Sequence, residues 1–432
     1  MCKHKTHTGV PKGGCMAFAK RLAMVLLLML AMPYTGNAAT DSSLLNACQE
    51  AVPAYVELFQ SLLSIDSGSE DIAGLNQKKD FIMAYLKKMG VEVEAVEASG
   101  DRKGTYNIIA RIHGNGKARI LLCSHYDTVW PAGEAAARPA RIENDIIYGP
   151  GAGDTQSGVA GCMTVLGILK KLNYDNFKVI TLFLNADEEL GSQGARELLL
   201  EEAEKHDVAF STEGGGENGE SVAVSCRGGG NAVLTVKGVR VHSGRPHLGH
   251  NAGVEMVRLL NNMLDLSSKE KGTDCTWTLG SFGTNTNVVP DTATATMNIR
   301  TASLAEFDRV KQELTERAAR VTDKGCSTEL VFTIGKPPFE YTQSTAVLAQ
   351  TAERIFQDEL GKKLTLMHVL AGSDANWLSQ KVPTLEGLGI SNGKPHQRDE
   401  FSSLKPAPER LYLLARLIQE TCLGNTVPLR VE

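Results

Sequence analysis

The segment Arg119-Ile-Leu-Leu-Cys-Ser-His125-Tyr-Asp127-Thr-Val129 constrains the fold more than any other stretch of the chain. Its apolar run, residues 120–123, stops abruptly before a histidine and a carboxylate one residue apart. A short, wholly apolar run of this kind suits a strand buried on both faces, as in a parallel sheet covered by helices. The polar pair then sits at the carboxyl tip of that strand, the edge at which open α/β sheets bind ligands.

The rest of the chain repeats the arrangement. Apolar spacing predicts helices over 43–63 and 75–90, and alternation predicts half-buried strands over 91–96 and 106–112. A loop leads to Gly149-Pro-Gly-Ala-Gly-Asp154, followed by a helix over 157–171 whose Gly158 and Gly161 permit close packing on a sheet. A second apolar strand, 179–184, ends in Asn185-Ala-Asp187-Glu188-Glu189. A helix over 192–205 and a short strand over 207–211 lead to Glu213. Strands alternating with helices imply an α/β domain with a mixed, largely parallel sheet.

The pattern changes at Gly228-Gly-Gly230. Strands over 231–237, 275–282, 292–300 and 328–334, with helices over 251–266 and 304–321, follow a β-α-β-β-α-β order. That order suits an α+β domain of ferredoxin-like type inserted into the first. Helices over 345–360, 373–380 and 408–421, and a strand near 383–388, return to the first style. The expected organisation is a leader over 1–39, a catalytic domain over 40–227 and 338–432, and a lid or dimerisation domain over 228–337.

The leader is read from Lys3, Lys5, Lys12, Lys20 and Arg21, then an apolar core over 22–32, then the small residues around Ala38 and Ala39. It implies cleavage after Ala38 or Ala39 and export to a periplasm or the outside, with no membrane attachment once cleaved; an uncleaved anchor is the alternative. The apolar core is short for a membrane span. Loss of its five basic groups takes the formal charge from −5 to −10, which argues against nucleic acid and other polyanionic partners. Seven cysteines remain: Cys48, Cys123, Cys162, Cys226, Cys275, Cys326 and Cys422. Their spacing shows no disulfide framework. Cys123 and Cys162 read as buried thiols, and Cys275 with Cys326 is the one candidate pair.

Four acid- or histidine-bearing clusters follow strand-like segments: His125 with Asp127, Asp154, Glu188 with Glu189, and Glu213. Carboxylates gathered at one sheet edge repel one another unless a cation neutralises them. One imidazole among several carboxylates suits a zinc-type ion. The candidates exceed one tetrahedral site, so two metals sharing a bridging carboxylate fit better.

These clusters, together with His396-x-x-x-Glu400, Asn287-Val-Val-Pro290, Met297-Asn-Ile-Arg300 and Ala371-Gly-Ser-Asp374, resemble a metallopeptidase family. It is the family of acetylornithine deacetylase, succinyl-diaminopimelate desuccinylase and glutamate carboxypeptidase, most nearly its exported carboxypeptidase G type. The likeness spans about residues 45–425. It implies two zinc ions per subunit, with Asp154 bridging, His125 and Glu213 completing one site, and Glu189 and His396 the other. It implies that Asp127 orients His125. Glu188 is then the general base that takes a proton from the attacking water and hands it to the leaving nitrogen. His242 of the lid would reach the developing oxyanion, often across a dimer interface. Arg300 would bind a substrate carboxylate as a guanidinium fork, with Asn287, Gly372 and Ser373 near the same pocket. The family often has an acidic or apolar residue and then lysine after the bridging aspartate. Thr155 and Gln156 stand there in this chain, which bears on local charge and substrate preference. Tyr126 replaces a common methionine; His113, His206 and His368 match no ligand position.

The function so implied is an exported zinc-dependent metallo-carboxypeptidase. It releases a C-terminal amino acid, glutamate for choice, from small peptides or N-acyl conjugates, as a homodimer. The alternatives are an N-acyl-amino-acid deacylase or dipeptidase of the same chemistry, and a non-catalytic binding protein that keeps the fold. Retention of Glu188 and of every implied ligand speaks against the last.

Overall fold

The computed structural model describes residues 40–430. The leader expected over 1–39 lies outside the described residues. Among the described residues no helix is long and apolar enough to cross a membrane.

The segment Arg119–His125 is the buried parallel strand its composition calls for. It pairs in parallel with Val179–Asn185 on one side and Val208–Ser211 on the other. The six-stranded sheet continues outward from Val179–Asn185 through Tyr106–His113 to Glu92–Glu97, both antiparallel, and from Val208–Ser211 to Thr384–Leu385, parallel. The alternating strands thus take one flank and the wholly apolar ones the middle, as burial on both faces requires.

Helices Ser42–Leu63, Ser157–Lys171 and Ala407–Cys422 pack together over this sheet and share one hydrophobic core. Asp41 caps the first by accepting from Leu44 N. Gly158 brings the second close against the sheet: a Cβ there would lie 2.0 Å from the carbonyl oxygen of Thr212. Helix Ile72–Lys88, capped by Asp71, flanks the antiparallel side.

The region after Gly228 builds a separate four-stranded antiparallel sheet. Its spatial order is Asp274–Phe282, Thr292–Thr301, Gly228–Lys237, Ser327–Ile334. Helices Ala252–Asn261 and Leu304–Ala318 cover one face through a core of their own that includes Leu234, Met256, Met297 and Leu314. This is the ferredoxin-like arrangement. Its first strand starts at Gly228, three residues earlier than alternation indicates. The missing side chain matters there, because a Cβ on Gly228 would meet the backbone nitrogen of Pro338 at 2.3 Å.

Some expected elements differ. The helix expected over 373–380 shrinks to Ala375–Leu378, and that over 192–205 to Arg196–Glu204. The strand near 383–388 keeps only Thr384–Leu385. An additional parallel pair, Ser221–Cys226 with Thr365–Val369, has no counterpart in the sequence reading. Its second strand is half exposed, so alternation carries no signal. Cys275 and Cys326 are free thiols. Cys275 lies on one edge strand, whereas Cys326 adjoins the opposite edge strand. Two intervening strands separate them by roughly 14 Å at about 4.8 Å per strand, well beyond disulfide reach.

Candidate metal centre

Parallel register brings the predicted groups to one edge. His125 ends its strand opposite Asn185, and Cys123 stands opposite Ser211. Glu188, Glu189 and Glu213, a few residues beyond those partners, therefore emerge beside His125. Asp154 enters from the glycine-rich loop that precedes Ser157–Lys171. His396 comes from a loop closed by mutual backbone bonds between Gly393 and Phe401. Its φ of 61° is a left-handed conformation uncommon outside glycine.

The geometry divides into two donor sets that share Asp154. His125 Nε2 lies 3.1 Å from Asp154 Oδ1 and 3.1 Å from Glu213 Oε1. His396 Nε2 lies 3.1 Å from Asp154 Oδ2 and 3.2 Å from Glu189 Oε2. Donor atoms of His125, Asp154 and Glu189 also lie within 4.8 Å of one another, as do those of His125, Glu188 and Glu213. His125 Nδ1 is 3.2 Å from Asp127 Oδ1. An imidazole that donates from Nδ1 turns its Nε2 lone pair toward two carboxylate oxygens, which is repulsive unless a cation lies between.

The titration of these groups carries the same message. Burial opposes the charge of His125, but Glu213, Asp127 and Asp154 more than offset it and hold its pKa well above the ordinary value. Hydrogen bonding to Asp154 and Glu189 lifts His396 to about 10. Burial pushes the Glu213 carboxyl well above its usual range. Without a metal the cluster draws in protons, so it has a deficit of positive charge. Glu189 Oε1 is buried with no hydrogen-bond partner. The donor set of imidazoles and carboxylates fits zinc-type ions, and the residues present fit two of them.

Glu188 makes no contact with either imidazole in these two sets, although its carboxylate lies within 4.8 Å of donor atoms of His125 and Glu213. Its Oε1 pairs with the ammonium of Lys336, which also lies 3.4 Å from the Glu188 carbonyl oxygen. Burial pushes its carboxyl up to about 7, against the pull of Lys336 and His125. A carboxylate so poised in a cleft can accept and return a proton near neutral pH.

Asp127, fully buried, does more than orient His125. Its oxygens accept from Glu188 N at 3.1 Å, Glu189 N at 3.2 Å and Ser69 Oγ at 2.7 Å, fixing the backbone of both glutamates. Glu400 does the same for the bridging aspartate. It accepts from Gly153 N and Asp154 N, both at 2.9 Å, and from Gly151 N at 3.0 Å. Glu386 accepts from Glu213 N at 3.1 Å. Lys336, Glu386 and the anchoring role of Glu400 escaped the sequence reading. Lys336 has a local signal, as a lone cation at the exit from the inserted region; the others have none.

The remaining predicted residues fall in two places. Arg300 lines a cleft with Lys336, Asn298 and Gly372 beside Glu188, and makes no ion pair among the described residues. His242 and Asn287 lie on a separate ribbon, where His242 pairs with Val288 and Ser243 N donates to the carbonyl oxygen of Asn287. Both are exposed, and neither lines the two clefts around Glu188. Ser373 lines the site, and its hydroxyl donates to Glu386 Oε2, another group of the same lining, at 2.9 Å. Thr155 and Gln156 are fully buried, with their side chains donating to the carbonyls of Thr212 and Tyr126. They face the core, so they leave the charge of the cleft unchanged.

Residues 121–420 match the model of the peptidase family M20/M25/M40. The chain is 31% identical to carboxypeptidase G2 of Pseudomonas sp. (strain RS-16) over 389 residues, covering 89% of this chain and 93% of that one. It is 28% identical to succinyl-diaminopimelate desuccinylase of Methylobacterium radiotolerans over 374 residues, covering 82% and 93%. Its fold is similar to that of a tripeptidase from Staphylococcus aureus, with a TM-score of 0.72 at 19% identity, covering 86% and 99%.

Proposed function

The chain belongs to the peptidase family M20/M25/M40, and from that premise we propose that this metallo-hydrolase is an exported, dinuclear zinc carboxypeptidase. It cleaves the amide bond to a C-terminal amino acid whose carboxylate is free. The observation that carries the reading is the pair of imidazoles, each facing two carboxylate oxygens at 3.1–3.2 Å with Asp154 shared.

In this reading His125, Asp154 and Glu213 hold one ion, and Asp154, Glu189 and His396 the other. Such ions supply Lewis acidity, polarising the scissile carbonyl and making water a better nucleophile near neutral pH. The protein's own groups do the rest. Glu188 takes a proton from the attacking water as the new C–O bond forms, then gives it to the nitrogen as the C–N bond breaks. Lys336 holds the Glu188 carboxylate in place and favours its charged form against burial. Asp127, Glu400 and Glu386 fix the backbone of the residues that act. Arg300 receives the free carboxylate as a two-pronged donor.

The segment 228–337 is read as the lid, and a homodimer through it is part of the proposal. Among the described residues the edge strand Asp274–Phe282 pairs on one side alone, and Val254, Val257, Leu279 and Phe282 nearby are exposed. His242 and Asn287, remote from their own clefts, then serve the site of the second copy. Sedimentation as a monomer would remove this element. Export rests on the leader, and mass spectrometry of the secreted chain tests it.

Glutamate as the released residue rests on resemblance alone. The second reading, an N-acyl-amino-acid deacylase or dipeptidase, is favoured by likeness to the desuccinylase. Calorimetric zinc titration of metal-stripped protein, paired with hydrolysis of N-acyl-amino acids, tests the proposal. Two equivalents bound with hydrolysis restored is the expected result; one equivalent sinks the dinuclear reading.

A further inference from the structure

The two imidazoles of the centre are supported differently. The His125 side chain is 1% exposed, and Asp127 fixes its ring from behind at Nδ1. The His396 side chain is 52% exposed, and among the described residues nothing bonds to its Nδ1. The aim of His396 therefore depends on its own backbone. Lys394 at φ 53° and His396 at φ 61° are both left-handed. Residues other than glycine keep such a conformation where their surroundings fix it.

The fixing groups lie outside the centre, on the segment 130–138. Asp66 pins this segment by accepting from Gly133 N and Ala135 N, both at 2.8 Å. Arg138 follows the short helix Glu134–Ala137, and its guanidinium makes three contacts. Its Nε pairs with Glu134, a buried carboxylate. Its Cζ lies 4.1 Å from the centre of the Trp130 ring. Its Nη1 donates to the carbonyl oxygen of Arg398 at 2.7 Å, two residues beyond His396. Trp130 in turn donates from Nε1 to Glu400 Oε2 at 2.9 Å. Arg138 and Trp130 thus grip the His396 loop at Arg398 and at Glu400. The ion pair of Lys394 with Asp399 is internal to the loop and ties it to nothing else.

We propose that Arg138 is a positioning residue for the ion at Glu189 and His396: without touching a ligand, it sets the affinity of that site and not of the site at His125 and Glu213. The inference rests on the dinuclear reading above. What Asp127 does for His125 through one hydrogen bond, Arg138 does for His396 through the backbone of its loop. Loss of a group that supports a metal ligand typically costs about 10- to 100-fold in metal affinity.

The test measures stepwise zinc dissociation constants of the metal-stripped full chain by competition with a chromogenic chelator. Wild type, Arg138→Lys, His396→Ala and the double variant are compared. Lysine keeps a positive charge for Glu134, so no buried carboxylate is left unanswered, but it lacks the fork that also reaches Arg398. Arg138→Lys should weaken one of the two constants by about 10-fold or more and leave the other unchanged. In the His396→Ala background, where that site is already impaired, the same change should have no further effect on the remaining ion. A general structural role would not produce this selectivity. Arg138→Lys weakening both ions alike, or neither, overturns the inference and leaves the dinuclear reading standing. So does an effect undiminished by His396→Ala. A single equivalent bound by wild type overturns both.

Discussion

Two clusters of buried carboxylates in the α/β body solve the same electrostatic problem in opposite ways. Around helix Ala407–Cys422, Glu359 is gripped by Arg416 through Nε at 2.9 Å and Nη2 at 3.0 Å. Arg354 Nη1 adds a contact at 3.0 Å, and Tyr412 donates as well. At the sheet edge Asp154, Glu189 and Glu213 face imidazoles and one another, and the ammonium nearby, that of Lys336, belongs to Glu188. Burial acts on both clusters. The arginines nevertheless hold Glu359 below the ordinary carboxylate range, while Glu213 is pushed far above it. The first cluster is complete within the protein; the second is complete only with added positive charge. Identical residue types thus read as structural or metal-binding according to whether a guanidinium answers them.

The comparison breaks most severely if Glu188 is dispensable. Glu188→Gln should lower kcat by about 10³-fold while retaining both metal equivalents, measured by steady-state kinetics and metal analysis. Retention of full activity would move the proton transfer elsewhere.

Next in size is the arginine clamp. Arg416→Met leaves Glu359 with part of its partnership and should cost about 3 kcal/mol of stability by denaturant titration, with kcat unchanged. A variant of equal stability would mean that the clamp has no structural weight.

Arg300→Ala should raise KM about 10- to 100-fold on a substrate with a free carboxylate and leave an amide analogue unaffected. Equal effects on both would remove the carboxylate assignment.

The sharpest use of the contrast is a reversal of sign. In metal-stripped protein, Glu213→Gln should raise stability by about 1 kcal/mol, because it removes a carboxylate that burial disfavours. With zinc present the same change should lower it. Calorimetric scans in chelator and in zinc decide this, and loss of stability in both would sink the account.

The smallest effect concerns pH. Glu359 is held below its unfolded pKa, so its contribution is present above that value and is lost as pH falls through the folded one. The Tm difference between wild type and Glu359→Gln should therefore be full at pH 7 and shrink below about pH 4.3. A gap as wide at pH 3 as at pH 7 would contradict the clamp.

Much of the centre is legible before folding because it lies at strand ends. The apolar runs before His125, Glu188 and Glu213 announce their own geometry, since parallel neighbours must end at one edge. The supporting groups are not legible in this way. Glu400 reaches Asp154 across 246 residues, Glu386 reaches Glu213 across 173, and Lys336 reaches Glu188 across 148. No local period marks such pairs. The strand Thr365–Val369 also escapes, although it lines the cleft beside the centre.

By itself the sequence determined the α/β core, the ferredoxin-like insertion and the acid- and histidine-bearing clusters at His125, Asp154, Glu188, Glu189 and Glu213; His396 came only through the resemblance to the metallopeptidase family. Hydrophobic periodicity and residue chemistry are properties of short stretches, and they survive without knowledge of the rest. Only the tertiary structure decided which buried carboxylates an arginine answers, that Ser373 is engaged by Glu386 and Thr155 by the carbonyl of Thr212, and where the clefts lie. Those outcomes depend on distances between groups far apart in the chain, which are settled only when the core closes.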